Sequence, residues 1–316
     1  MDIKGRKILV TGATGFVGSN LVRHFLKQGA NISILKRRQS NLWRIKDIIN
    51  QLSAYDADLL DHAMVNKVVK CIRPDVILHA ATYGGYVTQD NTARILKTNF
   101  DGTVNLIDAC LKSGFRLFVN TGSSSEYGIK GSPMKESDLL EPVTAYGASK
   151  AAAAIYCQHV AKKYSLPIAT LRLFSPYGYF DDGSRAISYM ILACLNNKPV
   201  YITSPDSVRD FIFIDDVVDS YEKVLVKNEN LGGGIFNIGS GKQCSIQKLA
   251  VKIAGMIDSD IVIKYQKKSS ARIEPKSWVA DISKTRAFLK WKPNFNIDQG
   301  LKKTIDWFRE NKRLYS

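Results

Sequence analysis

The 316 residues carry 45 Lys and Arg against 29 Asp and Glu, a formal net charge of +16, and 45% of them are hydrophobic, enough for a buried core and too many for a disordered chain. No apolar run approaches the ~20 residues of a membrane span, and no apolar leader opens the chain. The five cysteines (Cys71, Cys110, Cys157, Cys194, Cys244) form no close pair, which predicts reduced thiols in a cytoplasmic protein rather than a disulfide framework or a metal site. The length suits one large or two modest domains, and the excess charge points to a nucleic acid, a membrane surface or a small anion as partner.

In chain order, the apolar run Lys7–Val10 predicts a strand that leads into Thr11-Gly12-Ala13-Thr14-Gly15-Phe16-Val17-Gly18. Val17, Leu21 and Phe25 then fall on one face of a helix. A strand, a G-x-x-G-x-x-G turn and a helix make a dinucleotide site. The first glycine permits the tight turn, the second lets backbone approach a pyrophosphate, and the third lets helix and strand pack closely. The helix start offers unpaired N–H groups and partial positive charge to phosphates. Gly12, Thr14, Gly15, Phe16, Val17 and Gly18 are the expected contacts. The second strand, Asn31–Leu35, ends in Lys36-Arg37-Arg38. An NAD-selective fold carries an acid there for the ribose 2′-OH. Three cations suit a 2′-phosphate instead, so NADP is expected, with NAD as the alternative.

Further strands are predicted at Val76–Leu78, Leu117–Val119 and Ile168–Leu173. Alternation of apolar strands with helices predicts an α/β fold, a Rossmann-type doubly wound parallel sheet covered on both faces. The strand at 117–119 leads to Thr121-Gly122-Ser123-Ser124-Ser125-Glu126-Tyr127-Gly128, where a serine could bond a substrate oxygen. Tyr146 and Lys150 lie at i and i+4 on one helix face. A phenol, with a pKa of about 10, needs a nearby ammonium and an oxidised nicotinamide to serve as a base near neutrality, and it can then move a proton while hydride moves. The C-terminal part is more mixed, with strands expected at Val200–Thr203, Phe211–Ile214, Ile235–Ile238 and Ile261–Tyr265, and with Lys302 and Lys303 on a solvated helix face.

Taken together, these motifs resemble the extended short-chain dehydrogenase/reductases that act on nucleotide sugars: epimerases, dehydratases and reductases. The resemblance spans about Arg6 to Trp307. It rests on the opening glycine turn, Asp58, His79-Ala80-Ala81, Asn99, the Ser-rich turn, Tyr146-x-x-x-Lys150, Tyr177-Gly178, Arg209-Asp210-Phe211, Asn237-Ile238-Gly239-Ser240-Gly241 and Trp291-x-Pro293. It implies a cofactor domain over 1–172 with 208–240 returning to it, and a smaller mixed α/β substrate domain from 173–207 and 241–316. Asp58 and Leu59 would lie at the adenine, Ala80 and Ala81 would line the cofactor channel, and Asn99 would belong to the cofactor site. Tyr146 would be the general acid/base and Lys150 would hold the nicotinamide ribose. Ser123 would be the catalytic hydroxyl, with Ser124 as fallback. Ser124, Ser125, Ser175, Arg209 and Arg272 would meet a nucleoside-diphosphate sugar, the two arginines through its diphosphate. His79 is read as a core histidine.

The chain departs from the family pattern twice. A 4,6-dehydratase needs an acid two positions after the catalytic hydroxyl, commonly with a second beside it. Ser124 and Ser125 stand there, and the nearest acid, Glu126, comes one place late. Ser175 stands where the family usually has asparagine. The stretch from Tyr177 to Asp210, with Ala81-Thr82-Tyr83-Gly84, looks like CDP-sugar 4-ketoreductases of the paratose- and abequose-forming kind. The reading is therefore NADPH-dependent reduction of a 4-keto sugar. The alternatives are a 4-epimerase with tightly bound NAD or, behind it, a 4,6-dehydratase; a non-catalytic NADP-binding protein is remote. The family habit implies a homodimer through a four-helix bundle, with Ala151–Ala154 suited to close helix approach. Neither nucleic acid, membrane nor metal is expected.

Overall fold

The computed structural model describes residues 2–86, 88–227, 231–257, 261–266 and 275–315. The first half runs β1 (Lys7–Thr11), α1 (Phe16–Lys27), β2 (Asn31–Lys36), β3 (Ser53–Asp56), α2 (His62–Ile72), β4 (Val76–His79), α3 (Thr92–Leu96), α4 (Gly102–Ser113), β5 (Leu117–Ser123), α5 (Ala145–Tyr164) and β6 (Ile168–Leu173). The second runs β7 (Ser175–Tyr177), α6 (Ala186–Leu195), β8 (Val200–Ile202), β9 (Val208–Arg209), β10 (Phe211–Phe213), α7 (Ile214–Lys227), β11 (Gly234–Ile238), β12 (Cys244–Ser245), α8 (Ile246–Ile257), β13 (Ile263–Tyr265), α9 (Ser283–Leu289) and α10 (Ile297–Asn311).

Seven strands form one parallel sheet in the order β11-β6-β5-β4-β1-β2-β3. The winding reverses between β1 and β4, where Thr11 lies beside His79. A doubly wound sheet opens its ligand crevice at that reversal, outside the carboxyl ends of the strands. β4 and β6 are buried along their whole length, which is why they read as continuous apolar runs. β3 is different. Its sequence Ser-Ala-Tyr-Asp is largely exposed and pairs only with β2, through Ser33–Ser53 to Lys36–Asp56. No apolar pattern announces it; the open edge of β2 makes it a strand.

The glycine turn packs as its spacing requires. Gly12 has φ +69°, and a Cβ there would lie 2.5 Å from the Ala81 backbone nitrogen. A Cβ on Gly18 would lie 2.1 Å from the Gly12 carbonyl oxygen. α1 can therefore approach β1 only with a glycine at 18.

In the C-terminal part, the short strands pair as β10 with β7, β12 with β9 and β13 with β8. Ile214 starts α7 instead of ending a strand, and the stretch expected at 261–265 pairs only from Ile263. Asp216 ties the C-terminal segment down: its carboxylate accepts the Asn294 and Phe295 backbone N–H groups at 2.7 and 3.2 Å. Its carbonyl accepts the Trp291 indole N–H at 3.2 Å. One hydrophobic core runs from Ile8 and Leu78 in the sheet to Trp291 and Phe308. Ala151, Ala153 and Ala154 are buried inside this chain and pack α5 against its own sheet, while Ala152 is half-buried.

Candidate active site

A cleft of about 1100 Å³ opens at the β1/β4 reversal. It exceeds the usual ~300–1,000 Å³ of a single small-molecule site. The glycine turn lines one end. Gly15 precedes α1 and gives it no side-chain cap, so the first N–H groups of the helix are left to hold an anion. Gly12 and Gly18 leave a cradle that any Cβ would fill. A dinucleotide pyrophosphate fits this end, where Thr14, Gly15, Phe16, Val17 and Gly18 all line the wall.

Lys36, Arg37, Asp58, Leu59, Ala80 and Ala81 also line the cleft. Lys36 is already ion-paired with Asp56, an acid that β3 brings alongside. That leaves Arg37 as the lining cation without such a bond in the strand-end turn, its backbone N–H capped by Ser40 Oγ at 3.1 Å. Arg38 is exposed and stands off the wall. Asn99 is corrected: it lies beneath the cleft, 1% exposed. Its Oδ1 accepts from Thr82 Oγ1 (3.2 Å) and Tyr83 N (2.8 Å). Its Nδ2 donates to Tyr83 O (2.8 Å) and Ser149 Oγ (2.9 Å). With every amide position used, Asn99 fastens the segment after β4 to α5 and has nothing left for a cofactor.

Tyr146 and Lys150 project from α5 into the cleft. Burial raises the Tyr146 phenol; hydrogen bonds from the Ser123 and Thr82 hydroxyls and the positive charge of Arg185 pull it back, and Glu126 pushes it up. Burial lowers Lys150, and Glu126 counters that by favouring the ammonium. Gly84 leaves room for the phenol ring: its φ is +94°, and a Cβ there would touch Ile95 at 2.8 Å and Tyr146 at 3.4 Å. His79 is a core histidine, its ring nitrogens 2.6 Å from Thr11 Oγ1 and 2.9 Å from Thr103 Oγ1. Burial pushes its pKa down to about 3.

Ser123 and Ser124 have different partners. Ser123 Oγ accepts the Ser125 N–H at 3.1 Å and lines the cleft with its own proton left to donate. Ser124 Oγ accepts the Trp278 indole N–H at 3.1 Å. Glu126 is withdrawn: Oε1 accepts the Ser123 N–H at 2.7 Å, and Oε2 accepts from Arg172 Nε at 2.6 Å. Both charged side chains are buried, and Glu126 does not line the cleft. It cannot stand in for the acid that Ser125 replaces. Arg172 also stacks on Tyr127, 4.6 Å from the ring centre.

Ser175 and Arg209 line the far end. Arg209 donates to Ser207 Oγ (2.9 Å) and Val208 O (2.7 Å) and lies over the Trp278 ring at 5.3 Å. Asp210 instead gathers the N–H groups of Ser240, Gly241 and Ala280 at 2.7 to 3.0 Å, which pins the strand-end loop and the segment bearing Trp278. Arg272 lies outside the described residues. Sequence reasoning missed Thr82, Arg185 and Trp278. Trp278 sits in a C-terminal segment whose place beside Ser124 only folding reveals. Arg185 precedes α6 and is held by Asp181 at 3.4 Å and Pro176 O at 3.2 Å.

Comparison with known proteins places these residues in company. The model of the NAD dependent epimerase/dehydratase family matches residues 8–239. A UDP-glucuronate 4-epimerase of Thermodesulfobacterium geofontis is 26% identical over 318 residues, covering 97% of both chains. Among solved structures, an epimerase from Methanothermobacter thermautotrophicus superposes with a TM-score of 0.90 at 27% identity, covering 99% of this chain and 95% of that one. The UDP-glucuronic acid 4-epimerase of Bacillus cereus, in complex with UDP-glucuronic acid and NAD, gives 0.85 at 27% identity, covering 96% and 99%.

Proposed function

This chain is an enzyme of the NAD dependent epimerase/dehydratase family, and on that premise we propose that it acts at C4 of a nucleoside-diphosphate hexose as a 4-epimerase. The observation that carries this is the constellation of Tyr146, Ser123 and Lys150 beside serines where a dehydratase needs acids, with Glu126 buried on Arg172. The epimerases among its relatives support the same reading.

A nicotinamide cofactor, when bound, supplies the acceptor and donor of hydride. The residues do the rest. Tyr146 takes the proton from the sugar O4 hydroxyl and later returns it. Lys150, one helical turn on, stabilises the phenolate by its charge. Ser123 donates to O4 as charge develops there. Arg209, with Arg272, holds the diphosphate by bidentate bonds. Thr11-to-Gly18 and Arg37 hold the cofactor on the segment 1–172 with 208–240, and 173–207 with 241–316 hold the nucleotide sugar.

A specific observation favours a second reading, NADPH-dependent reduction of a 4-keto sugar of the CDP-linked kind. The second strand ends in Lys36-Arg37-Arg38 rather than an acid, and Arg37 lines the cleft. The NAD held by the Bacillus cereus relative favours the first reading. We place the enzyme in the cytoplasm on the strength of five cysteines that form no disulfide. It is a homodimer in this proposal, packed through α3 and α5, where Leu96 and Ile155 stand exposed.

One pair of assays separates the readings. Interconversion of a UDP-, CDP- or dTDP-hexose with its 4-epimer, without added cofactor, is expected of the epimerase. Stoichiometric loss of NADPH with a 4-keto-6-deoxy sugar nucleotide, and no epimerisation, would replace it with the reductase.

A further inference from the structure

Three residues that line the far end of the cleft, Ser175, Arg209 and Trp278, meet at one carboxylate that does not line it. Asp210 stands between β9 and β10 and is fully buried. Its backbone carbonyl accepts the Ser175 N–H at 3.0 Å, and Arg209 is its neighbour in the chain. Its carboxylate accepts on four sides. Oδ1 takes the Ser240 N–H at 2.7 Å and the Ser240 hydroxyl at 2.6 Å. Oδ2 takes the N–H groups of Gly241 and Ala280, each at 3.0 Å. Gly239 leaves the room: a Cβ there would lie 2.8 Å from Asp210 Oδ2 and 2.6 Å from Ala280 Cβ. The segment at Ala280 is held from its other side by Met134, whose N–H donates to Val279 O at 2.9 Å and whose carbonyl accepts the Asp281 N–H at 2.8 Å. Gln243, two residues past Gly241, takes the Trp278 backbone N–H on Oε1 at 2.9 Å. Asp210 therefore grips both pieces of chain that place Trp278. The indole N–H of Trp278 reaches Ser124 Oγ at 3.1 Å, and Arg209 lies over its ring at 5.3 Å.

We propose that Asp210 is a positioning residue for the nucleotide-sugar end of the cleft: by tying the loop after β11 to the segment at Ala280 it sets where Trp278 stands, and Trp278 in turn sets the Ser124 hydroxyl and the Arg209 guanidinium. A carboxylate suits the task because its two oxygens accept about four bonds, and bonds to a charged acceptor are roughly twice as strong as neutral ones. With the indole N–H on Ser124 Oγ, the Ser124 proton is left for substrate. An arginine laid on an aromatic face keeps the edge of its planar fork for phosphate. The glycine turn lies at the other end of the cleft, so the cofactor should not feel the loss of Asp210. The proposal rests on reading this end as the nucleoside-diphosphate site, and it holds for epimerase and reductase alike.

The test is calorimetric titration of the full-length enzyme with UDP, CDP and dTDP, taken alongside NAD and NADP. Asp210→Asn keeps the volume, but its NH₂ meets N–H groups, so it cannot hold all four donors. It should weaken the tightest-binding nucleoside diphosphate about tenfold and change dinucleotide affinity by less than about twofold. In the same variant the Trp278 emission, taken as the difference from Asp210→Asn/Trp278→Phe, should move to longer wavelength as the indole meets water. Trp278→Ala should weaken the diphosphate by a similar factor. Adding Asp210→Asn to it should weaken binding by less than about twofold more, because the two residues act in series. Losses that multiply overturn the proposal and leave Asp210 an anchor of the fold alone. So does wild-type diphosphate affinity in Asp210→Asn or, where that variant does not fold, in Trp278→Ala. A wild-type enzyme that binds none of the three diphosphates overturns both this proposal and the proposed function. Diphosphate binding that responds as expected, in an enzyme that turns over no nucleotide hexose, would leave Asp210 in its role and remove the proposed function instead.

Discussion

Replacing Glu126 by Gln asks whether its carboxylate works on the fold or on the substrate. One Glu126 oxygen holds the Ser123 N–H and the other holds Arg172 Nε. Glutamine keeps an oxygen for Ser123 but turns an NH₂ toward the Arg172 N–H, so donor meets donor. Both partners are buried, and Arg172 already has one terminal nitrogen without a hydrogen bond. Breaking a buried pair from one side costs about 3–5 kcal/mol. At roughly 2.1 cal/mol/K of unfolding entropy per residue, 316 residues give about 0.66 kcal/mol/K, hence a fall of about 5–8 °C in Tm. Scanning calorimetry measures it. Arg172→Met on top of Glu126→Gln removes the stranded charge, so the double variant should melt above the sum of the single losses. In the folded single variant kcat should stay within about tenfold of wild type, since Ser123 keeps its anchor. An unchanged Tm together with a loss of turnover beyond about a thousandfold would refute this reasoning and return Glu126 to the role of a substrate acid.

Gly18→Ala drives a methyl into the Gly12 carbonyl, 2.1 Å away. Calorimetric titration should find dinucleotide affinity reduced at least tenfold, about 1.4 kcal/mol; wild-type affinity would mean that α1 can move off β1 at no cost. Arg37→Asp puts a carboxylate where a 2′-phosphate would sit and should lower the NADP/NAD affinity ratio at least tenfold, whereas an unchanged ratio would take Arg37 out of cofactor choice. The buried His79, its pKa near 3 against 6.5 in the unfolded chain, favours folding fully above the unfolded pKa. It loses that contribution as pH falls through the unfolded pKa, by about 2 kcal/mol from pH 7 to pH 5. His79→Gln lacks this slope, so its deficit against wild type in urea melts should shrink by about that amount at the lower pH; a constant deficit would mean His79 is not held neutral.

The chain by itself determined the glycine turn, the tyrosine–lysine helix turn and the buried parallel strands. Each is a local pattern: glycines where Cβ atoms would clash, a pair at helical spacing, apolar runs that must be covered on both faces. It also placed His79 in the core, since a polar residue closing a fully buried strand has protein on every side. Contacts between distant segments stayed hidden. β3 exists because β2 leaves an open edge, and its Asp56 then takes Lys36 out of the cation trio that the sequence offers to a 2′-phosphate. Glu126 reads as a near-miss catalytic acid until β6 brings Arg172 against it. Asn99 reads as a cofactor ligand until its amide is seen to be spent on Thr82, Tyr83 and Ser149. Trp278 arrives at Ser124 from 154 residues away. Local pattern fixes which groups are near in sequence; whether a charge is free for chemistry or already neutralised depends on partners that only the packed fold brings within hydrogen-bonding distance.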